Sequence, residues 1–317
     1  MSKKFALIGV GGYIAPRHLR AIKETGNELV AALDKNDSVG VLDAYTTEAR
    51  FFTEFERFDR HLEKLRRKPG SGVDYVSICS PNYLHDAHVR FALRIGANAI
   101  CEKPLVLNPW NVKALEELAG EYDRQINTIL QLRLHPSIVA LKKRIDESPK
   151  DKIHDIDLTY ITTRGFWYLA SWKGDIEKSG GIATNIGVHF FDMLTWIFGP
   201  VRQNVVHMHG PTRAAGYLEL ERGRARWFLS LNRSDLPKPP EPGKPATFRA
   251  IEVDGEEIEF SQGFTDLHIE SYRRILAGKG FACREVLPSI EIVSAIRKAT
   301  PIGKAGEYHP MLTRVLS

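Results

Sequence analysis

Four segments of the chain carry residue types at spacings that can do chemistry. Gly9-Val10-Gly11-Gly12-Tyr13-Ile14-Ala15 ends a short apolar run and opens a helical stretch. Glycines in such a turn let the backbone approach a pyrophosphate, whose charge sits at the helix N-terminus. The next apolar run ends at Asp34, where a carboxylate would accept hydrogen bonds from the adenosine ribose hydroxyls. The same charge repels a 2′-phosphate, so the expected cofactor is NAD rather than NADP, Lys35 notwithstanding. The spacing departs from G-x-G-x-x-G by one residue, with Ala15 in the third glycine's place.

Ser80-Pro81-Asn82-Tyr83-Leu84-His85 and Glu102-Lys103-Pro104-Leu105 follow the third and fourth apolar runs. Loops at the carboxyl ends of parallel strands are where open sheets bind ligands. A lysine at position 103 could reach both a nicotinamide ribose and a substrate hydroxyl. The last segment runs from Ser179-Gly180-Gly181 through Asn185 and His189 to Asp192. Asn185 and His189 are four apart and share one helical face. Oxidising an alcohol requires hydride loss from carbon and proton loss from oxygen, and a histidine suits the second task near neutral pH. Arg133, Arg164 and Lys173 lie in segments expected to approach the same pocket, where guanidinium groups suit carboxylate or phosphate. Trp167, Tyr168 and Trp172 could stack on a sugar, a uracil or a nicotinamide. His85 with His88, and His207 with His209, have no third ligand nearby in sequence, so no metal site is expected.

The elements that must hold these residues fall into two halves. Phe5–Gly9, Glu28–Asp34, Val73–Cys79, Asn98–Cys101 and Ile126–Gln131 read as parallel strands buried on both faces. Helical stretches lie between them at Pro16–Thr25, Glu54–Lys68, Ala87–Ile95 and Pro109–Arg124, the last with Asn108 as N-cap and Pro109 at the first helical position. Repeated βα units predict an open, doubly wound parallel sheet. Beyond residue 131 the pattern changes. Ile153–Arg164 is a long strand, Arg222-Gly223 separates Tyr217–Glu221 from Arg224–Asn232, and Asp254-Gly255 separates Ala250–Val253 from Glu257–Phe260. The expectation is a dinucleotide-binding domain over 1–131 and an α+β domain with an open, mostly antiparallel sheet over 132–317. Five prolines between Leu236 and Thr247 mark an extended loop within the second domain.

Composition narrows the function classes. With 317 residues, 43% hydrophobic and 26% charged, the chain has ordinary globular composition and length for two cores. Its net charge of +5 is spread over short clusters such as Arg66-Arg67-Lys68 with no nucleic-acid motif, so no nucleic-acid partner is expected. No apolar run approaches the roughly 20 residues that cross a bilayer. The Phe5–Ile8 run after Lys3-Lys4 breaks at Gly9 with no cleavage site, so a cytoplasmic location is expected. Cys79, Cys101 and Cys283 are too few for a disulfide framework and read as small hydrophobes.

Taken together, Glu102-Lys103-Pro104, the glycine loop with His18 downstream, Ser80-Pro81-Asn82 and the Gly180-Gly181 approach to His189 resemble the Gfo/Idh/MocA oxidoreductase family over nearly the whole chain. The segments from Ile8 to His18, Tyr160 to Trp167-Tyr168, Ser171 to Asp175, Thr184 to His189 and Phe264 to His268 resemble one subgroup, the UDP-N-acetylglucosaminuronate 3-dehydrogenases of bacterial O-antigen synthesis. The resemblance implies Lys103 and His189 as catalytic residues, with the sugar ring between them, and Lys103, Arg133, Arg164, Tyr168, Lys173, Asn185 and His189 around the substrate. Many family members carry Asp where this chain has Asn185, which leaves proton transfer to His189 and makes the pocket kinder to an anion. Cofactor candidates are Gly9, Gly11, Gly12, Tyr13, Ile14, Asp34, Asn36, Ser80, Pro81, Asn82, Leu84, His85, Glu102, Lys103 and Gln131, joined on likeness by Trp172 and Lys173. The same likeness implies a homo-oligomer (dimer or tetramer) and functional coupling to a PLP aminotransferase. Two other readings stand beside it: a dehydrogenase of another sugar or an inositol-like polyol, and a non-catalytic NAD-binding regulator.

Overall fold

The structure, a computed structural model, describes residues 2–239, 246–258, 260 and 266–316. Pro240, Pro242 and Pro245 of the proline-rich loop, Glu259, and Phe264-Thr265 of the last resembling segment lie outside the described residues.

Six strands alternate with helices at the start: β1 (Lys4–Ile8), α1 (Ala15–Glu24), β2 (Glu28–Leu33), β3 (Arg50–Phe52), α2 (Phe55–Arg66), β4 (Tyr75–Ile78), α3 (His85–Arg94), β5 (Asn98–Cys101), α4 (Pro109–Glu121) and β6 (Ile126–Thr128). Every pairing is parallel, in the order β3-β2-β1-β4-β5-β6. The chain reverses its winding between β1 and β4, the switch point where such sheets bind dinucleotides. Phe5, Ala6, Leu7, Val76, Ile78, Ala99 and Ile100 are buried, which is why these runs are apolar without alternation. Two local expectations change. The edge strand β3 is only three residues and too short to show a period. Ile126–Gln131 is not one strand: β6 stops at Thr128, and Gln131–Leu134 forms a 3-10 turn before the next helix. Beyond β6 the edge is closed by an antiparallel bridge from Asn127 to Ala282.

The chain continues through α5 (Pro136–Glu147), β7 (His154–Thr162), α6 (Trp167–Ala170), α7 (Ile176–Ser179), a π-helical turn (Ala183–Gly187), α8 (Val188–Phe198), β8 (Val201–His209), β9 (Arg213–Leu220), β10 (Gly223–Ser230), β11 (Thr247–Val253), β12 (Glu256–Glu257), α9 (Leu267–Leu276), α10 (Leu287–Lys298) and α11 (Met311–Val315). The second sheet runs β12-β11-β7-β10-β9-β8 and is antiparallel except for the parallel β7–β10 pair. Asp254 and Gly255 both have positive φ, 54° and 81°, as the tight turn between β11 and β12 requires. The other hairpin is displaced by one residue from expectation. Gly223 pairs with Leu220, so Glu221-Arg222 makes the turn. At Gly223 a Cβ would lie 2.6 Å from Ile156 Cδ1 and 3.3 Å from the Phe198 ring, so a side chain there would require these neighbours to shift.

The chain divides into two compact units, Met1–Gln131 with Thr265–Leu287 and Leu132–Phe264 with Pro288–Ser317. The expected second domain is thus interrupted, because residues 265–287 join the first unit. Helix α9 explains the return: Ile269, Tyr272 and Ile275 enter one core cluster with Phe5, Leu7, Leu19 and Ile22. Each such side chain contributes about 1.5–3 kcal/mol when fully buried. No helix among the described residues is long and apolar enough to cross a membrane.

Candidate active site

In the first unit the glycine turn closes tightly onto neighbouring backbone. Gly9 has φ +88°, and a Cβ there would lie 2.7 Å from the Cys79 carbonyl carbon and oxygen. Gly12 N–H donates to Gly9 O at 3.0 Å and Ala15 N–H to Gly12 O at 3.1 Å, which leads the turn into α1. Asp34 ties this turn to the end of β2: Oδ2 accepts the Gly11 N–H and Oδ1 the Asn36 N–H, both at 2.9 Å. The carboxylate therefore shapes the loop as well as facing where a ribose is expected. Ile14 directly precedes α1 and Tyr13 is 89% exposed beside it. Backbone with no side chain in the way, next to a helix start and a fixed carboxylate, fits a dinucleotide.

The loops after β4 and β5 are joined by His85. Its Nδ1 lies 2.7 Å from Pro104 O and its Nε2 2.8 Å from Ser80 O, so both ring nitrogens meet backbone carbonyls. Burial pulls its pKa down, against the two carbonyls. His85, a cofactor candidate in the sequence, uses both ring nitrogens to shape the two loops. Ser80 Oγ meets His88 Nδ1 at 2.8 Å, Asn82 is buried, and Pro81 and Leu84 are half-buried. Lys103 is half-buried, with a cis peptide to Pro104.

Glu102 lies under Lys103 and is fully engaged. Oε1 accepts from His18 Nε2 and from His268 Nε2, both at 2.9 Å, and Oε2 accepts the Lys103 N–H at 3.2 Å. Burial pushes the carboxyl pKa up, but the two histidine hydrogen bonds outweigh it and hold the group well below the usual carboxylate range. His18 Nδ1 meets Tyr272 Oη at 2.8 Å, and Tyr272 Oη meets Ser77 Oγ at 2.6 Å. His18, Glu102 and His268 are metal-ligand types within 4.8 Å of one another, yet two N–H groups on one oxygen is hydrogen-bond geometry. Neither His268 nor Tyr272 was singled out for a role from sequence. Each lies on α9 far in sequence from the residues it meets, and only the return of α9 reveals it.

The second unit gathers a polar group under an aromatic segment. Gly180 and Gly181 have φ of 80° and 79°, and carry the chain into the π-helical turn that holds Asn185. The expected regular helix through Asn185 and His189 is thus a π turn followed by α8, and such turns recur at functional sites. Asn185 donates through Nδ2 to Tyr168 Oη at 2.6 Å. Burial raises the Tyr168 pKa, opposed by that bond and by Arg164. Lys173 Nζ stands 4.3 Å from the centre of the Trp172 ring and 5.6 Å from that of Trp167. Burial first and Arg164 second lower its pKa. Arg164, Tyr168, Lys173 and Asn185 thus form one cluster, which also draws in Trp167 and Trp172. Half-buried His189 lies in the first turn of α8.

Arg133 differs from its expected role. It is 6% exposed and grips Asp192 with two nitrogens, Nε to Oδ2 at 2.9 Å and Nη2 to Oδ1 at 2.8 Å. Its guanidinium also lies over Trp196, 5.8 Å from the ring centre. The arginine anchors α8, the helix that carries His189, instead of offering this fork to a substrate.

Residues 3–129 match the model of an oxidoreductase family, Gfo/Idh/MocA, described as an NAD-binding Rossmann fold, and residues 142–242 match its C-terminal alpha/beta domain. The chain belongs to this family. Among solved structures, this Gfo/Idh/MocA protein is similar to the WlbA (WbpB) dehydrogenase of Thermus thermophilus in complex with NAD and UDP-GlcNAcA, at 51% identity and a TM-score of 0.93, over 98% of this chain and 99% of that one. The same Thermus protein in complex with NAD and alpha-ketoglutarate matches at 52% identity, also with a TM-score of 0.93, over the same shares of the two chains. A more distant relative is the inositol 2-dehydrogenase of Rhizobium meliloti, 28% identical over 203 residues, a stretch that is 63% of this chain and 56% of that one. The cofactor is NAD: the family model describes an NAD-binding fold, the Thermus relative is solved with NAD, and the open backbone of the Gly9 turn and the Asp34 carboxylate fit it.

Proposed function

We propose that the chain oxidises the C3 hydroxyl of UDP-GlcNAcA to the 3-keto sugar nucleotide. The observation that carries this reading is the likeness, at 51% identity over 98% of the chain, to a dehydrogenase solved with NAD and that sugar nucleotide. NAD+, when bound, supplies the hydride acceptor. The Gly9–Gly12 turn and Asp34 hold it, with Ser80, Asn82 and Lys103 along the same sheet edge. His189 removes the C3 hydroxyl proton, and Lys103 hydrogen-bonds the same oxygen and stabilises its developing negative charge. Arg164 and Lys173, set against Tyr168 and two tryptophans, suit a substrate that carries a diphosphate and a carboxylate. The 3-keto product suits a PLP aminotransferase that makes a 2,3-diamino sugar acid for O-antigen. The enzyme works in the cytoplasm as a homo-oligomer. A 2-oxo acid, the class bound together with NAD in the Thermus relative, would reoxidise NADH to NAD+ by taking its hydride and a proton to become the 2-hydroxy acid.

The test is absorbance at the NADH band after UDP-GlcNAcA is added to protein with NAD+, with and without a 2-oxo acid and a partner aminotransferase. NADH appearing directly, or amino-sugar product forming only with the additions, supports the reading. No turnover under any condition, with turnover of an inositol that UDP does not inhibit, overturns it in favour of a polyol dehydrogenase.

A further inference from the structure

Glu102 is a buried carboxylate whose two oxygens face different tasks, one toward two histidines and one toward the backbone of Lys103. The proton arrangement follows from chemistry. An ionised carboxylate only accepts, so His18 and His268 each donate through Nε2. With its proton on Nε2, His18 accepts at Nδ1 from the Tyr272 hydroxyl, and Tyr272 Oη accepts from Ser77. The chain therefore has one direction, from Ser77 to Glu102. His268 enters from the other side on α9, with its ring edge-on to His18 at 5.1 Å between centres. Its Nδ1 is buried and makes no hydrogen bond among the described residues. Among the described residues, the polar contact of this imidazole is thus with Glu102 Oε1.

We propose that His268 is a positioning residue for the reaction. By sharing Oε1 with His18 it holds the carboxylate in one orientation, with Oε2 turned to the Lys103 N–H, and so fixes the backbone from which the Lys103 side chain extends. The proposal rests on the reading of Lys103 as catalytic. It assigns a reason for the return of residues 265–287 to the dinucleotide-binding unit beyond filling its core.

The test compares His268→Gln, whose amide N–H stands where Nε2–H stood, with His268→Asn, whose shorter amide cannot reach Glu102. Turnover, KM for the sugar nucleotide, thermal midpoint and NAD+ affinity by protein fluorescence are measured on both. The expected result is kcat within about threefold of wild type for His268→Gln and lowered about 10–100-fold for His268→Asn, as for a group that holds catalytic geometry. KM, midpoint and NAD+ affinity stay similar in the two variants. Equal kcat in Gln and Asn, or a kcat loss that follows the thermal midpoint, overturns the proposal. Lys103→Ala is the control: if it turns over normally, the reading of Lys103 fails, whereas an inactive Lys103→Ala with a fully active His268→Asn overturns the role of His268 alone.

Discussion

Arg133 and Asp192 meet in the second unit as a buried two-pronged ion pair, at 2.9 and 2.8 Å. Asp192 lies three residues after His189 on α8, so the pair fixes the helix on which the candidate base stands. Removing one member leaves the other charge buried without its partner, at a cost of about 3–5 kcal/mol, whereas apolar residues at both positions restore much of the loss. Asp192→Asn and Arg133→Met are expected to lower the urea midpoint strongly, and the double change Arg133→Met with Asp192→Leu to recover it in part. Single variants as stable as wild type would show that the pair does not hold this helix.

His189 is expected to act on the proton and not on cofactor affinity. His189→Ala should lower turnover by roughly 10²–10⁴, the usual worth of a general base. NAD+ affinity, followed by fluorescence quenching, should change little. A rate near wild type sinks the assignment.

Gly9 combines a positive φ of +88° with contact against backbone that cannot rotate away. Gly9→Ala drives a methyl to 2.7 Å from the Cys79 carbonyl and must deform the turn. Strained backbone of this kind costs about 1–3 kcal/mol, and the displaced turn loses its fit to a pyrophosphate. The expected outcome is a lower thermal midpoint together with weaker NAD+ binding. Unaltered binding would place the pyrophosphate elsewhere.

Acid sensitivity should come in part from His309. Burial, helped by Arg226, lowers its pKa to about 4. Its Nδ1 accepts the Met311 N–H at 3.1 Å and its Nε2 meets Thr159 Oγ1 at 3.0 Å, an arrangement that needs the neutral ring. A folded pKa below the unfolded value of about 6.5 means the unfolded chain takes up the proton first, so stability falls as pH drops from about 6.5 toward 4. His88, lowered to about 4 by burial and then by His85, adds a second group in the same window. Unfolding free energy measured from pH 7 to pH 4 should fall, and His309→Gln should flatten that slope. An unchanged slope in the variant would assign the proton uptake to other groups.

The chemistry-bearing segments were largely legible because they are local. A glycine turn between a strand and a helix, an acid at the end of β2, and loops at the ends of β4 and β5 are all set by neighbours in sequence. The same locality explains the Asp254-Gly255 hairpin, whose turn is decided by two residues that tolerate positive φ. Partners that are distant in sequence were not legible. Arg133 reads as a substrate contact because its partner Asp192 is 59 residues away, and His85 as a cofactor contact because Pro104 O is 19 residues away.

Periodicity and turn chemistry in the sequence by themselves determined a parallel βα half followed by a mostly antiparallel half, and residue types determined where a dinucleotide and a proton acceptor would be sought. Only the tertiary structure decided that residues 265–287 belong to the first unit, that a π turn precedes α8, and that Glu102 is held by His18 and His268. The physical reason is range. Backbone dihedral preference and hydrophobic period act over a few residues, while burying a carboxylate needs donors from whichever helices pack against it, and α9 supplies one 166 residues away.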